Sequence, residues 1–340
     1  MITMIRNFLL GASASICGLL LNVATVAADE KVYSNNELVS QFIEEMVTDH
    51  SFDQVELATW FASATRKQSI LDAISKPAEK RLTWTQYRKI FVTESRIDKG
   101  VAFWEEHQVI LNKVEQEFGV PASVIVAVIG VETRYGQNKG SFRVIDALST
   151  LAFDYPPRSK FFRKELKEFL LLSREQKQDP LALIGSYAGA MGYGQFIPSS
   201  YRAYAIDYDE DGFADIWDNI DDAIGSVANY FKVHGWKLDH EVVVRSLIAD
   251  NFDESVINKS LKPSITIADL GKKGFTPVDR LSDTGSATAM RLQGEWGAEF
   301  WLGLHNFYVI TRYNRSRLYA MAVWQLSQEI AAQKNRLNFD

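Results

Sequence analysis

Glu132 is a carboxylate whose setting suits chemistry, because it closes an apolar run. Residues 124–131 are almost entirely aliphatic, and Arg134 and Gly136 follow the acid. A segment that is apolar on all sides indicates a buried central helix, and Gly136 suits the left-handed conformation that ends a helix. Desolvation at that end raises the pKa of a carboxyl, so the group can hold and donate a proton near neutral pH. The competing interpretation is a structural ion pair with Arg134, which these residues alone favour.

An acidic segment at residues 207–218, DYDEDGFADIWD, has the register of a twelve-residue calcium loop. In that register Gly212 makes the sharp turn at position six, and Asp215 falls at position nine. Calcium takes hard oxygen ligands around one point, and carboxylates this close would repel one another without a cation. The expected ligands are Asp207, Asp209, Asp211, the backbone carbonyl of Phe213, and Asp218. Asp218 stands at position twelve, where glutamate is usual, and its shorter side chain makes bidentate closure harder.

The calcium interpretation predicts a structural ion rather than a sensor. Regulatory calcium proteins usually carry paired loops and a methionine-rich groove, whereas this sequence has one loop without a second copy. The ion would fix the loop beside the glycine-rich stretch at residues 185–200. The alternative is a solvated acidic turn that binds no metal.

The candidate acid has no evident second carboxylate beside it. A glycosidase usually places two carboxylates on either side of the bond that it cleaves. Asp146 and Asp154 are near in sequence, but neither lies in a motif that would expose it. The stretch at residues 185–200, GSYAGAMGYGQFIPSS, instead offers Ser186 and Gln195 on a backbone that a ligand can approach closely. One acid among hydroxyl, amide and aromatic groups favours a reaction in which the sugar's own groups supply the nucleophile.

The composition suits a large folded protein that does not bind nucleic acid. The chain has 340 residues, of which 46% are hydrophobic and 12% aromatic, enough for one large domain or two to three small ones. A formal net charge of −6 argues against the basic face that a nucleic-acid partner requires. Aromatic faces also line sugar-binding clefts, so the composition permits a carbohydrate substrate. No organic cofactor is expected.

Residues 1–28 have the features of a cleavable signal peptide. Arg6 precedes a largely apolar stretch, and Ala28 closes a small-residue cleavage site. We therefore expect export and a periplasmic location, and a retained membrane anchor fits these flanks less well. Cys17, the sole cysteine, lies inside this segment, so the mature chain would have no disulfide. Ile16 stands where a lipoprotein signal has a small residue, which disfavours an outer-membrane lipid anchor.

The apolar periodicity predicts a mainly helical chain with one β-rich insertion. Helical spacing runs through residues 33–118, 141–178 and 219–235 and resumes from Tyr319. Short β-like runs separated by glycine and proline occupy residues 240–313. The predicted fold class is mainly α, of the α+β type.

Three well-separated segments resemble one enzyme family, in the same order along the chain. They are GVETRYG at residues 130–136, SYAGAMGYGQF at residues 186–196 and NFYVITRYN at residues 306–314. They are similar to the family of lytic murein transglycosylase B, glycoside hydrolase family 103, and the resemblance extends over roughly residues 33–330.

This resemblance implies a fold and an activity. The family has a lysozyme-like core, a helical domain built from both chain ends and a small β-rich domain. Its members cleave the β-1,4 bond between N-acetylmuramic acid and N-acetylglucosamine in peptidoglycan without water, and they leave a 1,6-anhydromuramoyl end. The expected parts are a signal peptide at 1–28, an N-terminal helical part at 29–100, the catalytic core with its calcium loop at 101–236, the β-rich domain at 237–312 and a C-terminal helical part at 313–340.

The resemblance also implies roles for individual residues. Glu132 matches the single catalytic acid/base, and Ser186 and Gln195 match residues that hold the muramoyl sugar and its acetamido group. The segment at residues 207–218 matches the family's calcium loop. Further positions that match the family's cleft are Tyr87, Arg158, Tyr230, Tyr313, Asn314 and Tyr319. The residues alone leave open that Ser186 and Gln195 only shape their own loop and that the tyrosines are core residues.

The expected partner is a peptidoglycan glycan strand bound by a monomer, and association with other proteins of cell-wall synthesis or hydrolysis is a further expectation.

Two alternatives to the lytic transglycosylase function stay open. A hydrolytic muramidase would add water and release reducing ends instead of anhydro ends. A noncatalytic, calcium-dependent wall-binding protein would hold the glycan without cleaving it.

Overall fold

The computed structural model of the chain describes residues 33–75 and 82–337. The predicted signal peptide at residues 1–28, with Cys17, lies outside these residues. The α-helices are α1 (Glu37–His50), α2 (Gln54–Ser63), α3 (Gln68–Ile74), α4 (Trp84–Phe91), α5 (Glu94–Glu106), α6 (Gln108–Phe118), α7 (Ala122–Thr133), α8 (Val144–Asp154), α9 (Ser159–Glu175), α10 (Pro198–Tyr204), α11 (Ile220–Val233), α12 (Ile267–Lys272), α13 (His305–Tyr313) and α14 (Arg317–Leu337). The β-strands are β1 (Phe142–Arg143), β2 (Ile184–Gly185), β3 (Val243–Ile248), β4 (Ile265–Thr266), β5 (Phe275–Pro277), β6 (Ser286–Gly294) and β7 (Gly297–Gly303).

The described chain is mainly helical with a small antiparallel sheet, which confirms the predicted fold class. The larger sheet has five strands in the order β4-β6-β7-β3-β5, and the hairpin β6–β7 places Met290 opposite Trp301. The last strand, β7, ends at Gly303, and helix returns at His305, earlier than the expected Tyr319. The exact domain boundaries stay a prediction.

Helix α7 is surrounded by other helices. Each of its residues from Ala122 to Val131 is buried, as an aliphatic sequence on all sides requires. Helices α5, α6, α11 and α14 pack against it. Each fully buried valine or isoleucine stabilises this packing by about 1.5–3 kcal/mol relative to an exposed one. The direction of α7 is therefore strongly fixed, and so is the place where it ends.

The chain leaves α7 through three consecutive residues in the left-handed conformation. Arg134, Tyr135 and Gly136 have φ values of 52°, 60° and 83°. Gly136 adopts the conformation predicted for it, but the helix stops earlier, at Thr133, with Arg134 as its C-cap. The Thr133 hydroxyl accepts a hydrogen bond from the Gly136 N–H (3.0 Å), which holds the turn closed. Glycine is required at position 136 because a Cβ there would lie 2.3 Å from the ring of Tyr193.

Two apolar cores support the helices. One surrounds α7 and includes residues of α4, α5, α6, α11, α13 and α14. The other joins α1, α2, α3, α8 and α9 to the glycine-rich stretch, through Met191 and Phe196. Tyr313 packs against both cores, so it lies where they meet. A third, smaller core fills the β-rich part around Phe275 and Leu302.

No single helix within residues 33–75 and 82–337 combines the length and apolar character needed to cross a membrane. Helices α6 and α7 reach that length and composition only as a pair joined across a bend of 115°.

Gly140 is the residue where the segment after α7 crosses β2. A Cβ at this position would lie 2.1 Å from the carbonyl carbon and oxygen of Gly185, and φ is +99°. We expect Gly140→Ala to lower the free energy of unfolding by about 2–4 kcal/mol, through the clash and the left-handed backbone.

Gly271→Ala is the matched control, because it lies in α12 with no atom within 4 Å of the added Cβ. This change should raise the free energy of unfolding by up to about 1 kcal/mol, since alanine is favoured over glycine in a helix. Urea unfolding followed by circular dichroism measures both effects. Similar small effects at the two positions would contradict the described crossing.

Candidate active site

Glu132 lies in the last turn of α7, where the buried helix meets the protein surface. Its side chain is partly exposed, and its Oε1 accepts a hydrogen bond of 2.7 Å from the hydroxyl of Tyr319. Tyr319 belongs to the first turn of α14 and is only 2% exposed. Because α14 packs along α7, the same packing positions the acid and its donor. Solvent therefore reaches the carboxyl from one side, while a buried hydroxyl fixes it from another.

Tyr313 extends this contact to the glycine-rich stretch. Its ring stacks on Tyr319, with centroids 6.4 Å and planes 9° apart, and its hydroxyl donates to the carbonyl of Gly194 (2.5 Å). The ring of Tyr230 lies 4.7 Å from Tyr313, and the Tyr230 hydroxyl donates to the carbonyl of Arg312 (2.6 Å). Helices α7, α11, α13 and α14 and the glycine-rich stretch thus meet around one acid.

These phenols remain neutral at physiological pH. Burial raises the pKa of Tyr313 and of Tyr319 well above the ordinary value of 10.0, and the charge of Glu132 raises both further. Burial likewise raises the pKa of Tyr230. The neutral form of a phenol keeps its O–H. Tyr319 is therefore a hydrogen-bond donor to Glu132, and Tyr313 is a donor to the backbone of the glycine-rich stretch.

Thr133 attaches the glycine-rich stretch to the end of α7. It is fully buried, and its hydroxyl lies 3.1 Å from the carbonyl oxygens of both Ile129 and Tyr193. The residue next to the acid therefore fixes the backbone that precedes Gly194. Gly194 leaves space for Tyr313, since a Cβ there would lie 2.7 Å from the phenol oxygen.

Ser186 and Gln195, predicted to hold the sugar, both take part in shaping this stretch. The Oγ of Ser186 accepts a hydrogen bond from the N–H of Ala190 (3.0 Å). The Nε2 of Gln195 donates to the carbonyls of Lys139 (3.2 Å) and Gly192 (3.1 Å). With its nitrogen used internally, Gln195 keeps a side-chain carbonyl that makes no hydrogen bond to the described residues. The Ser186 hydroxyl also retains its proton for donation.

Tyr87 and Asn314 lie beside the same group. Tyr87 is buried in α4, with its ring 4.7 Å from that of Phe91, and α4 packs against α14, the helix that carries Tyr319. Asn314 follows Tyr313 directly and lines a cavity of about 970 Å³ between the β-rich part and the start of α14. Tyr87 therefore shares a core with Tyr319, and Asn314 is the chain neighbour of Tyr313.

Arg158 is the predicted cleft residue that the structure places apart. It is exposed at the start of α9, and its guanidinium lies over the rings of Phe161 (4.4 Å) and Phe162 (4.9 Å). No described hydrogen bond, ion pair or ring contact joins it to the group around Glu132.

Lys139 connects the glycine-rich stretch to the acidic loop, and no sequence pattern predicts this role. Its Nζ contacts the carbonyl of Trp217 and the Oδ1 of Asp218 at 2.9 Å, and it lies 4.8 Å from the ring centroid of Tyr193. Its backbone carbonyl accepts the hydrogen bond from Gln195. An isolated lysine in a loop has no pattern from which these contacts follow.

Arg96 supports the end of α7, and no sequence pattern predicts this role either. It is 6% exposed, its Nε donates to the carbonyl of Gly130 (3.0 Å), and its Nη1 donates to that of Ile90 (2.5 Å). A positive charge beside the last carbonyls of a helix is favourable, although burial lowers the pKa of this guanidinium. Tyr135 completes the arrangement by donating to the backbone carbonyl of Arg96 (2.7 Å).

The acidic loop brings three of its five predicted ligands together. One carboxylate oxygen from each of Asp207, Asp209 and Asp211 lies within 4.8 Å of the others. Asp207 accepts hydrogen bonds from the N–H groups of Asp211 (3.0 Å) and Gly212 (2.7 Å), and Asn219 donates to Asp209 (2.8 Å). Hard oxygen donors held this close fit a calcium ion.

Asp218 is not part of that group of carboxylates, and the backbone carbonyl of Phe213 stays a predicted ligand. The Asp218 side chain is 83% exposed and its carboxylate pairs with Lys139 at 2.9 Å. The N–H of Phe213 donates to Asp211 (2.9 Å), and its carbonyl accepts from Asp215 (2.8 Å). Three predicted ligands therefore converge, whereas the carboxylate of Asp218 contacts Lys139.

Comparison with known proteins agrees with this geometry. The family described as the transglycosylase SLT domain matches residues 34–328. Membrane-bound lytic murein transglycosylase B of Escherichia coli strain K12 is 43% identical over 319 residues, which cover 91% of this chain and 86% of that protein.

Two solved structures show the same fold. Soluble lytic transglycosylase SltB1 from Pseudomonas aeruginosa superimposes with a TM-score of 0.84 at 54% identity, covering 88% of this chain and 99% of that one. The Escherichia coli lytic transglycosylase Slt35 in complex with calcium gives a TM-score of 0.81 at 44% identity, covering 88% and 94%. These matches confirm the resemblance drawn from the three sequence segments. The chain belongs to the transglycosylase SLT domain family.

Proposed function

We propose that the chain is a lytic transglycosylase that cleaves the β-1,4 bond between N-acetylmuramic acid and N-acetylglucosamine in peptidoglycan and forms 1,6-anhydromuramoyl ends. The observation that carries this proposal is a partly exposed carboxylate, Glu132, hydrogen-bonded by the neutral phenol of Tyr319 where α7 and α14 meet the glycine-rich stretch. Membership of the transglycosylase family supports the reaction class.

In the first step Glu132 acts as the general acid. Its proton passes to the glycosidic oxygen as the bond from that oxygen to the anomeric carbon breaks. The carbonyl oxygen of the sugar's own acetamido group attacks the anomeric carbon and forms an oxazolinium ring, so the protein supplies no nucleophile. Tyr319 stabilises the carboxylate that remains, since a hydrogen bond to a charged acceptor is stronger than one to a neutral acceptor.

In the second step Glu132 acts as the base. It takes the proton of the muramoyl 6-hydroxyl, whose oxygen attacks the anomeric carbon while the oxazolinium opens and restores the acetamido group. Glu132 is then protonated again and ready for another strand. One residue serves in both roles, as microscopic reversibility allows, and no water is consumed.

The neighbouring residues would bind the strand and exclude water. The free side-chain carbonyl of Gln195 is suited to accept from an acetamido N–H, and the Ser186 hydroxyl is suited to donate to the muramoyl sugar. Substrate-binding roles are proposed also for Tyr87, Arg158, Tyr230, Tyr313, Asn314 and Tyr319. Arg158 has the weakest support, because it lies apart from the group around Glu132.

A structural calcium ion in the acidic loop forms part of the proposal. The convergence of Asp207, Asp209 and Asp211 supports it, as does the relative Slt35, which was solved in complex with calcium. The ion would neutralise these acids and stiffen a loop whose far end contacts Lys139. No chemical step runs through the metal.

The setting proposed for this activity is the periplasm, with the strand bound by a monomer. The relatives include a membrane-bound enzyme and a soluble one, so they are consistent with either form. Cleavage of the segment at residues 1–28 would give the soluble form.

Digestion of purified peptidoglycan tests the reaction itself. The protein should release fragments whose muramoyl ends are one water lighter than reducing ends, as measured by mass spectrometry. Glu132→Gln should lose turnover by at least about 1,000-fold, because it cannot transfer the proton, and it should still bind glycan strands. Reducing ends as the sole product would identify a hydrolytic muramidase, and undiminished turnover by Glu132→Gln would remove this acid from the mechanism.

Tyr319→Phe tests the donor to the acid. We expect kcat/KM to fall about 10- to 100-fold, since a hydrogen bond to a charged group contributes about 1.5–3 kcal/mol. Tyr33→Phe is the matched control, because the Tyr33 hydroxyl donates to Asp154 at 2.8 Å in another part of the fold. The Tyr33→Phe variant should be less stable than the wild type and should keep the wild-type kcat/KM. Equal kinetic effects of the two variants, or none for Tyr319→Phe, would contradict the proposed contact.

Removal of calcium tests the acidic loop. A chelator should lower Tm, because an ion at 100 times its Kd stabilises the folded state by about 2.7 kcal/mol. The double variant Asp207→Asn/Asp209→Asn should lose this response, whereas Asp250→Asn, an exposed acid in the β-rich part, should keep it. A wild-type Tm that is the same with calcium and with chelator would contradict a structural ion.

A further inference from the structure

The hairpin β6–β7 presents a fully exposed tryptophan at its tip. Trp296 is 97% exposed, more than any other large hydrophobic side chain of the described residues. The two strands pair as far as Gly294 and Gly297, so Glu295 and Trp296 form a two-residue turn. Such turns favour glycine, asparagine and aspartate, whereas tryptophan has a large apolar ring. Turn geometry therefore gives no reason for a tryptophan here, and its ring is available to a ligand.

The tip of the hairpin is held against α4. The hydroxyl of Thr85 donates to the carbonyl of Gln293 (3.2 Å), and the Nζ of Lys89 pairs with Glu295 at 3.1 Å. Strand β6 pairs with β7 up to the turn itself. Trp296 thus projects from a fixed backbone, which reduces the entropy lost when it binds a ligand.

A pocket of about 360 Å³ lies beside Trp296, between the hairpin tip, α4 and α14. Three basic and three acidic side chains line it, so its charges balance. They form the pairs Arg88–Glu329 (3.7 Å), Lys89–Glu295 (3.1 Å) and Arg245–Glu299 (3.5 Å). Side chains paired in this way keep further N–H groups and carboxylate lone pairs for hydrogen bonds. The pocket therefore offers donors and acceptors without net charge, which suits an uncharged polar ligand.

A pyranose sugar has the two features that this site matches. One face of the sugar ring presents C–H groups, which are apolar and can pack on the ring of Trp296. The edge of the sugar carries hydroxyls, each of which can both donate and accept. An anionic bilayer or a nucleic acid fits less well, because the lining has no excess of positive charge to attract it.

The pocket lies away from the group around Glu132. Gln325 lines it and accepts a hydrogen bond from the Nε of Arg88 (2.8 Å). On α14, Gln325 follows Tyr319, the donor to Glu132, by six residues, which is about 9 Å along a helix. Glu329, also in the lining, is about 15 Å along the helix from Tyr319. A sugar in the pocket is therefore a different one from the sugar that is cleaved.

We propose that Trp296 and the adjoining pocket bind an N-acetylglucosamine unit of peptidoglycan at a distance from the cleaved bond. Of the two sugars that alternate in the strand, N-acetylglucosamine is the one without a lactyl group and stem peptide, so it carries no charge. This second contact would hold the enzyme on the cell wall while Glu132 acts elsewhere. The inference rests on the proposed function, because it takes its ligand from that substrate.

Binding to purified peptidoglycan sacculi tests the inference without cleavage. The parent protein is the Glu132→Gln variant, which should bind glycan but not cleave it. Adding Trp296→Ala should raise Kd about tenfold, as expected when the partial burial of an aromatic ring is lost. Adding Trp296→Phe, which keeps a ring, should raise Kd by less than about threefold. Because the ligand is uncharged, the effect of Trp296→Ala should persist as ionic strength rises.

Val109→Ala is the matched control, because Val109 is an apolar residue of α6, 86% exposed and outside the pocket. It should keep the Kd of the parent. In the active protein, Trp296→Ala should lower the ratio of kcat/KM on sacculi to kcat/KM on a soluble tetrasaccharide, because long strands gain from a second contact.

An unchanged Kd on adding Trp296→Ala would overturn the inference, and so would an equal rise in Kd on adding Val109→Ala. Vesicles of anionic phospholipid are the contrasting probe. Loss of vesicle binding by Trp296→Ala, with binding to sacculi intact, would assign the tryptophan to a membrane surface and would also overturn the inference. Failure of the proposed function would be seen separately, as no anhydro product from the wild-type protein.

Discussion

The hydrogen bond from Tyr319 to Glu132 depends on the packing of the helices around α7. It joins residues 187 positions apart, so it exists only when α14 packs along α7. That packing in turn needs an α7 that is apolar on all sides and enclosed by α5, α6 and α11. The hydrophobic effect therefore fixes the position of an acid that is itself polar and partly exposed. The chemistry is located by burial of the helix rather than by contacts of the acid alone.

Tyr313 extends the same constraint to the rest of the molecule. It packs against both helical cores and donates to the carbonyl of Gly194. The glycine-rich stretch is consequently held from two sides, by Tyr313 and by the buried hydroxyl of Thr133. Three residues near this junction have left-handed backbone conformations, namely Arg134, Tyr135 and Gln195. Such conformations persist where the surrounding packing determines them, and they are frequent at functional sites.

The sequence predicted those features that depend on local pattern. The aliphatic run of α7, the short strands of the β-rich part and the acidic cluster of Asp207, Asp209 and Asp211 all follow from residue spacing. The identity of Glu132 as a candidate acid also came from its place at the end of an apolar helix. The roles of Tyr313 and Tyr319 came only through resemblance to a family, because nothing local distinguishes them from core tyrosines.

Contacts between distant segments account for what the sequence could not predict. Lys139 meets Asp218 79 positions away, and Arg96 meets the carbonyl of Gly130 34 positions away. The Nη2 of Arg317 donates to the carbonyl of Asn258, 59 positions away. None of these residues lies in a sequence motif that distinguishes it from an ordinary surface residue. Their environment is a property of the packed chain.

The central claim is that one carboxyl, acting first as acid and then as base, cleaves the strand without water. Digestion of purified peptidoglycan in water enriched in oxygen-18 tests it most directly, with the products quenched rapidly and analysed by mass spectrometry. New muramoyl ends should carry no oxygen-18, because the sugar's own 6-hydroxyl oxygen closes the ring. Incorporation of one labelled oxygen at each new end would show that water attacks, and it would contradict the account.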